Sequence, residues 1–132
     1  MDFELTFEKR EKYIFIKGKG VRKDLTAVFE STQAFTKIVI NNNMRFVLLD
    51  YSTVTTHSSN ANVFNITRLY EREQVLSNIC VACICNPDEF GLEKFWEDIT
   101  AKRGYEFKVF KEAGDAERWL LKQVHRFERD RQ

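Results

Sequence analysis

Residues 45–60 read Arg-Phe-Val-Leu-Leu-Asp-Tyr-Ser-Thr-Val-Thr-Thr-His-Ser-Ser-Asn. Phe46-Val47-Leu48-Leu49 is a short apolar run without alternation, closed by Asp50. Such a run reads as a strand, over 45–50, buried on both faces, the signature of a parallel sheet covered by helices. The polar stretch Tyr51–Asn60 then leads into a helical pattern. In open α/β sheets, sites gather outside the carboxyl ends of the strands. Any functional site in this chain is therefore expected near Asp50–Asn60.

Working outward, a second apolar run, Ile79-Cys80-Val81-Ala82-Cys83-Ile84, predicts another covered strand. Upstream, Phe3, Leu5 and Phe7 alternate with polar residues, which predicts an edge strand with one wet face. Tyr13-Ile14-Phe15-Ile16 starts a more central strand, with Gly18 and Gly20 expected to end it. Tyr105, Phe107 and Val109 alternate in a last strand running through Phe110. Between the strands lie helical patterns. Asp24 is the expected cap of a helix carrying Leu25, Val28, Phe29, Thr32, Phe35, Ile38 and Val39, closed at Asn41-Asn42-Asn43. Val63, Phe64, Ile66, Thr67 and Tyr70 predict a second helix to about Gln74. Asn86-Pro87-Asp88-Glu89 opens a third, with Leu92, Phe95, Trp96 and Ile99 as its apolar stripe and Lys102-Arg103-Gly104 as its stop. Gly114-Asp115 opens a fourth, with Ala116, Trp119, Leu120 and Val124 facing inward. The order β-β-α-β-α-β-α-β-α implies right-handed crossovers. The expected fold is α/β, with a five-stranded mixed sheet that is mostly parallel, an antiparallel N-terminal edge strand and about four helices.

The chain has 132 residues, which suits a single domain spanning 1–132. Its 21 basic and 20 acidic residues leave a net charge of +1. That balance gives no field to draw nucleic acid. No apolar run approaches the roughly 20 residues of a membrane span, and Met1-Asp2-Phe3-Glu4 is unlike a signal peptide. The three cysteines are an odd number bunched at Cys80, Cys83 and Cys85. They form no disulfide framework, and a reducing cytoplasm is the expected compartment. Cys80 and Cys83 should point to opposite faces of their strand, with Cys83 and Cys85 on one face, so they read as core rather than as a metal set. No cofactor and no metal site is expected. Arg118, Lys122, Arg126 and Arg129 form one basic stripe on the last helix, read as a solvated face.

Two stretches carry a family resemblance. Val47-Leu48-Leu49-Asp50-Tyr51-Ser52-Thr53-Val54 resembles an apolar strand, an Asp and an apolar–Ser–x–Val turn found in STAS-fold proteins of the SpoIIAA-like (STAS/CRAL-TRIO-like) group. Tyr105–Phe110 followed by Ala116-Glu117-Arg118-Trp119-Leu120 resembles the strand and "Ala-x-x-Trp-Leu" helix that close many of these sequences. Where that family carries Asp-Ser-Ser/Thr-Gly, this chain has His57-Ser58-Ser59-Asn60. The resemblance implies a non-enzymatic regulatory module like the anti-sigma-factor antagonists, with Ser58 as the phosphoacceptor of a partner kinase. Read from chemistry alone, Ser58 and Ser59 are also good helix caps. Asp50 at a strand end suits the turn that follows it, and Asp50, His57 and Ser58 lack a nucleophile elbow, so no catalytic residue is expected. The alternative is a binder of a small apolar or lipid-like ligand. That reading requires an apolar cavity of roughly 300 Å³ or more.

Overall fold

The strand that organises the sequence is the central one. In a computed structural model describing residues 3–57, 65, 68, 70–72, 74 and 76–131, it is β3, Phe46–Tyr51, with every residue but Asp50 buried. Parallel neighbours flank it on both edges, β2 (Ile14–Arg22) on one side and β5 (Cys80–Cys85) on the other. Side chains alternate between faces with period two. Val47 and Leu49 join Ile14, Ile16, Val81 and Cys83 in one core. Phe46 and Leu48 join Cys80, Ala82 and Ile84 in a second core on the opposite face. Two covered faces explain why the run has no polar alternation.

The sheet order is β1-β2-β3-β5-β6. β1 (Phe3–Lys9) lies antiparallel to β2 at one edge, and β6 (Glu106–Phe110) lies parallel to β5 at the other. The expected mixed sheet is borne out, with two corrections. The first is that β2 does not stop at Gly18 and Gly20 but runs through both to Arg22. Gly18 is there because a Cβ at that position would run into the Tyr51 ring. Gly20 takes φ +112°, a conformation that favours glycine. The pairing with β3 ends at Lys17↔Asp50, before this glycine. The second correction is a sixth strand inside the polar stretch. β4 (Thr55–Thr56) pairs parallel with the far end of β2, through Val21↔Thr55 and Arg22↔Thr56.

The helices capped by Asp24 and Asn86 begin and end close to their expected caps, whereas the last helix starts at Ala113, one residue before Gly114, after a Glu112 that makes no side-chain cap bond. α1 (Leu25–Asn41) starts where the Asp24 carboxylate accepts the Ala27 N–H at 2.8 Å, and Asn43 closes it at φ +54°. A 3-10 turn at Pro87–Glu89, capped by Asn86 Oδ1 accepting from Asp88 N at 3.0 Å, leads into α2 (Phe90–Lys102). Gly104 at φ +83° follows its end. Helical backbone is also present at Asn65, Arg68 and 70–72. Val63, Phe64, Ile66 and Thr67 lie outside the described residues, while Tyr70 is fully buried as expected. α1, α2 and Tyr70 cover the Leu49 face through Phe35, Val39, Trp96 and Ile99. α3 (Ala113–Asp130) covers the Leu48 face through Ala116, Leu120 and Val124. Trp119, expected on that buried stripe, is only half-buried.

Candidate functional site at the carboxyl ends of the strands

The chain leaves β3 through a built turn. Asp50 Oδ1 accepts the Ser52 N–H at 3.0 Å, and the Val54 N–H returns to the Tyr51 carbonyl at 3.0 Å. This is the local role expected of an Asp at a strand end. Val54 is buried, and Asn86 Nδ2 donates to its carbonyl at 3.2 Å. Thr56 is then held from two sides. Its N–H donates to Glu89 Oε1 at 2.5 Å, and its hydroxyl accepts from Arg22 Nε and Nη2 at 2.9 and 2.7 Å. The His57 N–H donates to the Arg22 carbonyl at 2.9 Å, and the His57 residue is exposed. Ser58, Ser59 and Asn60 follow in the chain and lie outside the described residues.

Arg22 and Glu93 are the members of this site that sequence reading missed. Arg22 is 5% exposed and Glu93 8%, and their Nη2 and Oε1 atoms stand 3.2 Å apart. The guanidinium also lies 4.9 Å from the centre of the Tyr51 ring. Burial works against the Arg22 charge, but Glu93 and, to a smaller extent, Tyr51, Tyr70 and Cys83 together outweigh it and hold the guanidinium above its ordinary value. Burial pushes the Glu93 carboxyl upward, and Arg22 offsets only part of that, with Glu89 adding repulsion. A signal for Glu93 did exist. Glu93, Trp96, Glu97 and Thr100 share the buried side of α2, so acids sit on an otherwise apolar stripe. Among the described residues, Asp50 and His57 are not joined by a side-chain hydrogen bond, and the two sit at opposite ends of the turn–β4 segment.

No protein-family model and no curated protein matches the sequence. Solved structures do match it. An anti-sigma factor antagonist from Mycobacterium paratuberculosis superimposes with a TM-score of 0.56 at 15% identity, over 90% of this chain and 94% of that one. A DUF3478-family protein with a SpoIIAA-like fold from Shewanella loihica PV-4 gives 0.52 at 17% identity, over 89% and 93%. The chain has a SpoIIAA-like fold. Within it, the strand, Asp and turn that carried the resemblance are the end of β3 and the Asp50–Val54 turn.

The SpoIIAA-like sheet also shows what lies beneath this rim. A small, partly open space of about 40 Å³ is lined by Arg22, Val28, Tyr51, Tyr70, Glu93 and Trp96. Small-molecule sites run to roughly 300 Å³ and more, so this space lends no support to a lipid-like ligand. Among the described residues, no helix is long and apolar enough to cross a membrane. The cysteines divide as expected, Cys80 on the α3 face and Cys83 and Cys85 on the other. Burial pushes the Cys80 thiol to about 12 and the Cys85 thiol to about 11, and drives Cys83 well up too. The thiolate is the reactive form. All three should therefore react slowly with a thiol reagent in the native protein and quickly in denaturant, and burst-phase labelling of any one before unfolding would contradict its placement.

Proposed function

We propose that the protein is a non-enzymatic regulatory module. A protein partner would read its surface at Asp50–Ser59, and phosphate on Ser58 would switch that contact in the cytoplasm. One observation carries this reading. The segment leading to Ser58 is clamped to the scaffold by Arg22, Asn86 and Glu89, and it delivers an exposed His57 at the carboxyl-end rim of the sheet. A fixed, solvent-facing approach suits a recognition surface. A solved neighbour of this fold is an anti-sigma factor antagonist, which supports a role in protein–protein regulation.

The physics of the switch is charge. Phosphorylation adds about −1.5 to −2 charges and three strong acceptors. A protonated His57 beside it favours the phosphorylated state, where an Asp at that position would oppose it. Asp50 is engaged in its own turn and serves to hold the segment, so no acid–base pair is assigned here.

The test is a pair of variants. Ser58→Asp and Ser58→Ala should each fold with stability within about 2 kcal/mol of wild type, the most that a lost helix cap costs. Only one of them should retain a partner in pull-downs from host lysate, and phosphopeptide mapping of protein from its native host should find phosphate at Ser58. Identical partner sets together with an unmodified Ser58 would reduce Ser58 to a helix cap.

A further inference from the structure

A broad groove lies away from this rim, along the outer edge of β6. It has a volume of about 740 Å³. α2 forms one wall through Lys94, Glu97 and Ala101, and α3 forms the other through Trp119, Gln123 and Arg126. α3 packs chiefly on β3 and β5, which leaves Glu106 and Lys108 of β6 exposed at the floor.

An open sheet edge ordinarily invites another strand. This one is plugged. The Val109 N–H donates to Glu97 Oε1 at 2.8 Å, and the other Glu97 oxygen accepts from Lys94. Further down the same edge, the Tyr105 N–H donates to the Thr100 carbonyl at 3.1 Å. A strand could add only by expelling a buried carboxylate. A helix laid between α2 and α3 needs no such displacement.

The charges choose the helix. The three acids of the groove have intramolecular partners: Glu97 with Lys94 and Val109, Glu106 with Arg45 at 3.4 Å, and Asp130 with Arg129 at 4.0 Å. Among the described residues, Lys108 and Arg126 have no acidic partner. Lys108 lies 6.0 Å from the centre of the Trp119 ring, so cation and aromatic surface are presented together. The acids of α3 that have partners elsewhere turn to the opposite side, Glu117 accepting from Tyr13 and Glu128 from Lys12. Over the whole groove, Arg45, Lys94, Lys108 and Arg126 stand against Glu97, Glu106 and Asp130, which leaves a surplus of one positive charge, with Lys108 and Arg126 as the cations without an acidic partner among the described residues. A second copy's α3 carries Arg118, Lys122, Arg126 and Arg129 against Asp115, Glu117, Glu128 and Asp130, all four of which have partners within their own chain, so it offers no free carboxylate to Lys108 and Arg126.

We infer that the β6 groove is a docking site for an acidic amphipathic helix of a partner protein, with an apolar anchor on Trp119 and carboxylates on Lys108 and Arg126. This surface is separate from the Ser58 reading, and either can fail alone. The probe is a fluorescein-labelled stapled helix with leucines along one face and flanking glutamates, compared by anisotropy at low salt with the same peptide carrying lysines. The glutamate peptide should bind at least about tenfold more tightly, and the double variant Lys108→Glu/Arg126→Glu should reverse that preference. Trp119→Ala should weaken the glutamate peptide about tenfold. Absence of binding, equal affinity for the two peptides, or indifference to the double variant would overturn the inference. So would self-association that the double variant abolishes, since the groove would then belong to a second copy.

Discussion

Arg22→Met is expected to remove about 3–5 kcal/mol of folding stability at neutral pH, the usual cost of leaving one member of a buried ion pair alone. The variant strands the Glu93 carboxylate beneath the rim with Glu89 nearby, and it takes both hydrogen bonds from the Thr56 hydroxyl. The two partners are not equivalent. Glu93→Gln keeps an oxygen for Arg22, and Arg22 keeps Thr56 and the Tyr51 ring. Its cost should be the smaller one, about 1 kcal/mol.

The pH dependence follows from the raised Glu93 carboxyl. A carboxyl with a higher pKa in the folded than in the unfolded chain holds more protons when folded, between those two values. Its contribution to stability therefore grows as pH falls through that window and is lost as pH rises above it. Without Arg22 the folded value climbs further and the window widens. The deficit of Arg22→Met should thus be greatest at neutral pH and shrink toward pH of about 5. Urea unfolding at both pH values measures this. A loss below about 1 kcal/mol at neutral pH would place Arg22 in solvent contact. Arg22→Met/Glu93→Leu, which removes both charges, should recover much of the loss.

Why this pair escaped sequence reading is instructive. Val21-Arg22-Lys23-Asp24 looks like a solvated turn, and the partner of Arg22 is 71 residues away. Local pattern reports faces and caps, and it did so for β3, β5, Asp24, Asn86 and Gly104, whose roles depend on immediate neighbours. It failed where a distant residue sets the structure. Gly18 looks like a terminator, yet it is a strand glycine because Tyr51 lies across it. β4 has only two residues, too few for any periodicity to show. The same division holds at the candidate site. Asp50 was legible as a turn acceptor because its partner, Ser52, is two residues on. The clamps on Thr56 come from β2 and from the turn before α2, and nothing in Thr55-Thr56-His57 announces them. The departure of Trp119 from its stripe has a similar origin. α3 sits over β3 and β5 instead of over the β6 edge, so the side of the helix toward β6 meets a groove.

That placement of α3 also sets the outcome of Leu48→Ala, expected to cost about 2–5 kcal/mol. Leu48 is 4% exposed and faces α3, while Leu49 beside it faces the α1 and α2 side. The Leu48 face is the thinner of the two. Its fully buried helix residues are Ala116, Leu120 and Val124, two of them small or β-branched, with little freedom to close over a lost isobutyl group. A cavity that cannot collapse lies toward the costly end of the range. The loss should also be uneven. Leu48 supports α3 directly, and the packing of Phe35 and Val39 from α1 is on the other side of the sheet. Amide exchange should therefore accelerate first in Ala113–Asp130, while α1 keeps its protection until global unfolding. Urea denaturation gives the total and hydrogen exchange gives its distribution. A change below about 0.5 kcal/mol would mean that Leu48 is not packed beneath α3. A large loss spread equally over α1 and α3 would mean instead that the two faces of the sheet unfold as one unit.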